Sequence, residues 1–169
     1  MTTIREETPE DFEAVRRVNE LAFGRPQEAA LVEALRVNAE AYISLVAEVE
    51  GRVVGHIFFS PVKVESAESA RDAFALAPMA VLPEFQSRGV GSRLVREGLE
   101  ECLKRGHEVV FVLGHPEYYP RFGFEPTKRW GISCEFQVPE EVFMLKELRA
   151  GALEGVRGEV KYHPEFRKV

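Results

Sequence analysis

The spacing of apolar residues along the chain alternates between a helical and a strand-like period, and this predicts the order of its elements. Thr8-Pro9 is a pair typical of a helix start. After it, apolar side chains recur every three or four positions until Gly24-Arg25-Pro26 interrupts the pattern. The same spacing returns further along the chain. The predicted helices are Pro9–Phe23, Gln27–Val37 and Ser92–Lys104, with one or two helical turns within Glu117–Phe122.

Runs of β-branched and aromatic residues predict the strands. Glu50-Gly51 separates two such runs and predicts a two-residue hairpin turn. Ser60-Pro61 predicts a bulge or turn, and a polar excursion through Asp72 follows the next short run. The predicted strands are Thr2–Arg5, Ser44–Val49, Arg52–Phe59, Val62–Glu65, Phe74–Val81 and Glu108–Leu113, with further β-like segments near Phe124, at Phe143–Glu147 and at Val156–Tyr162.

The run Phe74–Val81 is apolar on both faces, which predicts a central strand covered on both sides. Pro78 lies inside it, although proline has no N–H to donate to a neighbouring strand. We therefore expect a bulge or splay at Pro78.

The segment Gln86-Ser87-Arg88-Gly89-Val90-Gly91 connects this strand to the helix that begins near Ser92. The N-terminus of a helix carries unpaired N–H groups and a partial positive charge, so it favours phosphate. Gly89 and Gly91 let the backbone approach an anion closely. The pattern predicts a site for a ligand that contains a pyrophosphate.

Two common phosphate loops do not fit this segment. A Walker loop requires a Lys after its last glycine, and none follows Gly91. The dinucleotide fingerprint requires a third glycine, but Leu94 occupies that position. A nucleotide-dependent kinase or dehydrogenase is therefore disfavoured.

Composition narrows the function classes. With 169 residues the chain fits one α/β domain, and its net charge is −6. Residues 1–60 contain 11 Asp and Glu against 6 Lys and Arg. An acidic surface disfavours nucleic-acid binding and suits a cationic or amine-bearing substrate.

Localisation and metal binding are predicted from absent signals. The segment Met1–Glu7 lacks the apolar stretch of a signal peptide, and no apolar run approaches membrane-spanning length. Cys102 and Cys134 are too few for a zinc site, and Cys102 has the spacing of a buried helix residue. We expect a cytoplasmic protein without a metal or a membrane partner.

Two motifs in this order resemble those of the GNAT superfamily of N-acyltransferases. Gln86, Gly89 and Gly91 match the family's Gln/Arg-x-x-Gly-x-Gly/Ala motif, and Tyr119-Pro120-Arg121-Phe122-Gly123-Phe124 is similar to its Tyr-x-x-x-Gly-Phe element. The phrase from Gly114 to Tyr119 looks like that of a bacterial branch known as YhbS-like. The resemblance covers roughly Thr3 to Glu147.

The resemblance implies a mostly antiparallel, splayed mixed sheet flanked by helices, and a function. Acetyl-CoA would donate its acetyl group directly to a primary amine of a small molecule or peptide, with Tyr119 as the proton donor to the leaving thiolate. The strand edge would pair with the pantetheine arm, and the loop amides would hold the pyrophosphate. The implied cofactor-binding residues are Met79, Ala80, Val81, Gln86, Ser87, Arg88, Gly89, Val90, Gly91 and Ser92.

Several roles stay open on the residues alone. Tyr118, next to Tyr119, is the alternative proton donor. His56 is interpreted as a structural histidine, and His115 as a candidate lining residue. Phe74–Val81 contains no Asp or Glu, so the general base is unassigned. Deprotonation through ordered water is one alternative, and help from Glu28 or Glu33 is another. The acceptor side is expected from loops Phe23–Gln27, Ser60–Asp72 and Phe124–Glu141.

The tail and the rival function are also open. Residues 148–169 are predicted to be an extension that packs on the single domain 1–169. Within it, Gly151–Val169 is interpreted as a terminal hairpin, with capping of the acceptor cleft or pairing with a second protomer (a homodimer) as alternatives. The rival function is a non-catalytic sensor that binds acyl-CoA on the same fold.

Overall fold

Nine strands form one mixed sheet in the computed structural model, which describes residues 1–169. The sheet order is β1-β2-β3-β4-β5-β8-β6, with β9 paired to β3 and β7 paired to β9. Only the β4–β5 and β7–β9 pairs are parallel, which confirms the predicted mostly antiparallel sheet. The strands are β1 (Thr2–Glu6), β2 (Ile43–Val49), β3 (Arg52–Glu65), β4 (Ala70–Val81), β5 (Val109–Leu113), β6 (Glu125–Pro126), β7 (Ile132–Cys134), β8 (Phe143–Glu147) and β9 (Gly158–Lys161).

Three α-helices cover the sheet: α1 (Phe12–Phe23), α2 (Gln27–Asn38) and α3 (Val90–Lys104). The first predicted helical turn, Pro9–Asp11, is a 3₁₀ helix that leads into α1. Asp11 accepts a 2.8 Å hydrogen bond from the Thr8 amide, which satisfies a free donor at the helix start. α1 ends at Gly24, whose φ of +70° is a left-handed conformation that suits glycine.

The helices pack on opposite faces of the sheet. Side chains alternate between the two faces along a strand, so Ile57 and Phe59 lie in the apolar cluster that contains α3 residues. Phe58 lies in the cluster formed with α1 and α2. Cys102 is fully buried on the α3 side, which confirms its predicted packing role. None of the helices is both long enough and apolar enough to cross a bilayer.

Two predicted strand boundaries were wrong. β3 runs without a turn through Ser60-Pro61, where it pairs with β4 only; the β2 pairing ends at Phe59 and the β9 pairing begins at Lys63. Pro61 is tolerated because one edge of the strand is open there. β4 begins at Ala70 rather than after Asp72, and an ion pair of 2.8 Å joins Lys63 to Asp72 across the strands.

Pairing of β4 is interrupted at Pro78, as predicted. The register changes from Phe59 opposite Leu76 to Ile57 opposite Met79, so Ala77 and Pro78 together face one residue of β3. The parallel pairing with β5 stops at Leu76, opposite Val112. Beyond Leu76, β4 therefore has a partner on one edge only.

The tail does not form the predicted terminal hairpin. β9 lies between two distant strands, antiparallel to Lys63–Glu65 of β3 and parallel to β7. A 3₁₀ helix, Pro164–Lys168, follows and contacts α2. Asn38 at the end of α2 donates a 2.9 Å hydrogen bond to Glu165 of this helix. Long-range pairing thus holds the tail against the sheet and α2.

A polar network lies within the sheet and α1. The side-chain amide nitrogen of Asn19 lies 3.1 Å from Nδ1 of His56, and the Ser44 hydroxyl lies 2.9 Å from its Nε2. Because the amide nitrogen can only donate, Nδ1 accepts and Nε2 carries the proton. Burial, aided by the charge of Arg36, lowers the pKa of His56 to about 3. This supports the interpretation of His56 as a structural histidine.

We expect His56→Gln to flatten the pH dependence of the free energy of unfolding between about pH 4 and about pH 6.5. The unfolded imidazole takes up a proton below an ordinary pKa of 6.5, whereas the folded one does so only near 3. The unfolded chain therefore binds more protons in this window, and stability falls as the pH falls, with a limiting slope of about 1.4 kcal/mol per pH unit. Urea denaturation of both proteins at several pH values measures the slopes; parallel lines would contradict the assignment.

Candidate functional site

A cleft of about 910 Å³ opens where β4 and β5 diverge. One wall is the β4 segment Leu76–Val81, and another is the loop that leads into α3. The end of β5 and the segment that follows it form a third wall. The start of α2 and the tail complete the lining. The cleft therefore contacts most of the predicted site residues.

The N-terminus of α3 has free donors. The first intrahelical bond joins the Arg93 amide to the Gly89 carbonyl at 3.1 Å, and no side chain caps the helix. The amides of Val90, Gly91 and Ser92 thus have no partner within the helix. Gly91 and Ser92 line the cleft, so the positive end of the helix dipole is directed to a place where an anion can bind.

The backbone of the preceding loop is held in an uncommon conformation. Ser87 has φ +62° and Gly89 has φ +84°, and both line the cleft. A non-glycine residue at positive φ is rare and is found at functional sites. Gln86 fixes the loop to the strand, since its side-chain nitrogen donates a 2.9 Å hydrogen bond to the carbonyl of Val81. The sequence motif did not indicate this contact.

Two predicted residues of the loop lie outside the cleft lining. The guanidinium carbon of Arg88 is 5.5 Å from the centroid of the Phe85 ring, in cation–π geometry. Val90 is 4% exposed and packs in the core, so only its amide is available to a ligand. Ser87 and Gly89 to Ser92 therefore offer backbone groups to a ligand. Arg88 offers a positive charge from outside the cleft lining.

The open edge of β4 forms the long wall of the cleft. Met79, Ala80 and Val81 line it while they remain paired with β3 on their other edge. An extended strand with one unpaired edge presents backbone donors and acceptors to any extended ligand. The wall is suited to hydrogen bonding with an amide-containing chain.

Tyr118 and Tyr119 both reach the cleft, with perpendicular rings 5.1 Å apart. Tyr119 begins the 3₁₀ helix Tyr119–Phe122 and is 7% exposed. Its ring lies so close to Gly114 that a Cβ on that residue would overlap it. Burial raises the pKa of Tyr119 above its usual range, so its hydroxyl stays protonated at neutral pH.

Tyr118 is placed differently. Its hydroxyl lies near the first turn of α3, because a Cβ added to Gly91 would be 3.1 Å from it. The guanidinium of Arg121, which also lines the cleft, lies 5.0 Å from the Tyr118 ring centroid. The structure brings both candidate donors to the cleft, with Tyr118 next to the start of α3.

The remaining charged groups are few. Glu28 and His115 line the cleft and Glu33 does not. Of the loops expected on the acceptor side, only Phe23–Gln27 contributes, through Phe23; Ser60–Asp72 and Phe124–Glu141 do not. Phe166 and Val169 of the tail take their place, which no local sequence pattern indicates. No three His, Cys, Asp or Glu side chains are grouped in a way that could hold a metal ion.

Comparison with known proteins gives consistent matches. The family model described as an acetyltransferase (GNAT) domain matches residues 3–127. An uncharacterized N-acetyltransferase of Escherichia coli K12, YjhQ, is 41% identical over 146 residues, which are 83% of this chain and 81% of that protein.

Two crystal structures share the whole fold. That of the E. coli GNAT family N-acetyltransferase YhbS in complex with CoA has a TM-score of 0.89 at 34% identity, covering 98% of this chain and 92% of that one. That of a GNAT family acetyltransferase from Brucella melitensis in complex with acetyl-CoA has a TM-score of 0.80 at 34% identity, covering 98% of each chain.

We expect Gly89→Ala to lower the free energy of unfolding by about 1 to 2 kcal/mol, the usual cost of a left-handed conformation for an L-residue. Nothing lies within 4 Å of the added Cβ, so the loss is conformational rather than steric. Gly89→Asn should lose less, because asparagine tolerates this region better. Urea denaturation measures both variants; an Ala variant as stable as the wild type would contradict the assigned loop conformation.

Proposed function

The chain belongs to the GNAT family of N-acetyltransferases, and from this we propose that its cleft binds acetyl-CoA and directs the acetyl group to a primary amine of a small molecule or peptide. The observation that carries the proposal is the shared cleft: the uncapped start of α3 and the open edge of β4 line the same space. One is suited to phosphate and the other to an amide-containing arm. Acetyl-CoA contains both groups.

The loop and first turn of α3 would hold the pyrophosphate. Backbone amides from Ser87 to Ser92 supply donors, and the helix dipole adds a partial positive charge. Arg88 belongs to this loop and would add a full positive charge near the phosphates. The related structures from E. coli and Brucella melitensis, which contain CoA and acetyl-CoA, support this assignment.

The open edge of β4 would pair with the pantetheine arm. Met79, Ala80 and Val81 line the cleft along that edge. The side chain of Gln86 already donates a hydrogen bond to the Val81 carbonyl. This contact marks where the unpaired strand edge ends and the phosphate-binding loop begins. A backbone N–H of this strand can also donate to the thioester carbonyl, which stabilises the negative charge that develops on its oxygen.

The chemistry requires one new bond and one broken bond. Acetyl-CoA supplies a thioester, whose carbonyl carbon gains a C–N bond to the amine as its C–S bond breaks. The chain must therefore stabilise charge on the oxygen and on the sulfur. The proton that the sulfur gains balances the proton that the amine loses, so the products are an amide and a thiol.

We assign the proton donor to Tyr119. Burial keeps its hydroxyl protonated, as a donor must be. The hydroxyl can then give a proton to the departing thiolate, which needs one at neutral pH because the ordinary pKa of a thiol is ~8.5. No acid lies on β4 between Phe74 and Val81, so we leave deprotonation of the amine to ordered water.

Cellular setting and assembly complete the proposal. A net charge of −6 and two free cysteines support a cytoplasmic enzyme that uses no nucleic-acid partner. We propose one domain over residues 1–169, with 148–169 as a packed extension. Phe166 and Val169 line the cleft, which supports capping by the tail over pairing with a second protomer.

We expect Tyr119→Phe to reduce kcat by about 10²-fold or more while the affinity for acetyl-CoA changes little, as loss of a general acid does. Tyr118→Phe is the matched control, since it removes the same hydroxyl from the neighbouring residue. Calorimetry with acetyl-CoA and thiol release across a panel of amines measure both quantities.

Three outcomes would revise this function. Full turnover by Tyr119→Phe removes that residue from the mechanism, and loss in Tyr118→Phe alone transfers the role to Tyr118. Tight acetyl-CoA binding by the wild type without turnover on any amine would instead favour a non-catalytic acyl-CoA sensor.

A further inference from the structure

We propose that the acceptor carries an ammonium group beside an apolar body, and that Glu28 binds this ammonium group. This inference rests on the proposed acetyltransferase function and narrows its substrate class. It follows from the charge inventory of the cleft at the end formed by α2 and the tail. Glu28 acts here as a binding residue for the acceptor.

Glu28 is a buried carboxylate held in a fixed position. It lies in the first turn of α2, is 7% exposed and lines the cleft. Arg25 holds it through a 2.9 Å hydrogen bond from Nε to Oε1 and a second contact from Nη2 to Oε2. Arg25 itself does not line the cleft, and its side chain is 48% exposed, so water screens its charge.

The carboxylate retains capacity for a ligand. Two carboxylate oxygens offer about four acceptor positions, and one guanidinium does not fill them all. Glu28 is the only acidic side chain that lines the cleft. The one arginine of the lining, Arg121, lies beside Tyr118, among the residues that follow β5. Glu28 is therefore free to pair with the ammonium group of an acceptor.

The surroundings of Glu28 are apolar. Phe23 from α1, Leu31 from α2 and Phe166 from the tail line the same cleft. Phe166 packs against the buried cluster that contains Leu31, which places the tail next to the α2 wall. An apolar or aromatic body gains from burial there.

The tail supplies an aromatic wall of this pocket. Phe166 belongs to the 3₁₀ helix Pro164–Lys168, which Asn38 holds through Glu165. That segment lies beyond residues 3–127, the part that matches the family model. The acceptor pocket therefore combines a carboxylate from α2 with an aromatic wall from a segment outside the match.

The test compares amines and variants in the acetyl-CoA thiol-release assay. The wild type should use 2-phenylethylamine with a kcat/KM at least about tenfold above that for spermidine or glucosamine, because these lack a continuous apolar body. Glu28→Gln should raise the KM for 2-phenylethylamine about tenfold or more with a smaller change in kcat. Its KM for acetyl-CoA should not change.

Two further variants separate binding from structure. Glu33→Gln makes the same change at an exposed position of α2 outside the cleft lining, so its kinetics should match the wild type. Phe166→Ala should raise the KM for 2-phenylethylamine and leave the KM for acetyl-CoA unchanged.

The results distinguish this inference from the proposed function. A wild type that does not bind acetyl-CoA, or acetylates no amine, refutes the function and the inference with it. A wild type that turns over but prefers spermidine or glucosamine overturns only the inference. An unchanged amine KM in Glu28→Gln does the same, and the wild-type ranking remains decisive if that variant fails to fold.

Discussion

The parting of β4 from β5 after Leu76 is the constraint on which the rest of the structure depends. Both strands are central and apolar, so continued pairing would close the sheet and leave no cleft. Pro78 lacks an N–H and sits in the bulge opposite β3, where the pairing of β4 changes register. β5 ends at Leu113, one residue beyond its last pair with β4, and Tyr118 and Tyr119 line the cleft that opens there. The unpaired backbone of β4 is available to a ligand because the sheet divides there.

Local contacts fix two groups of opposite charge in the lining of the cleft. The uncapped start of α3 supplies amides and a helix dipole, and Gln86 ties its loop to Val81. Arg25 holds the Glu28 carboxylate. Such prearranged groups need little reorganisation when charge develops, which favours catalysis.

The sequence predicted features that depend on neighbouring residues. Gly89 and Gly91 after an apolar strand predict the loop and helix, and Pro78 predicts the interruption of β4. Features that depend on distant residues were missed. β3 continues past Pro61 because β4 pairs along it. The tail is not a hairpin because β9 pairs with β3, almost a hundred residues away in the sequence. Phe166 lines the cleft because that pairing positions the tail, and no local sequence pattern indicates this contact.

On the proposed function, CoA pairs with the open edge of β4 and with the start of α3. Hydrogen exchange measured with and without saturating CoA tests this directly, since amides that gain a bonded partner exchange more slowly. We predict slower exchange in Ala77–Val81 and in Val90–Ser92, with no change in β1 at the far edge of the sheet. Calorimetrically confirmed CoA binding that leaves exchange in both segments unchanged would contradict the account.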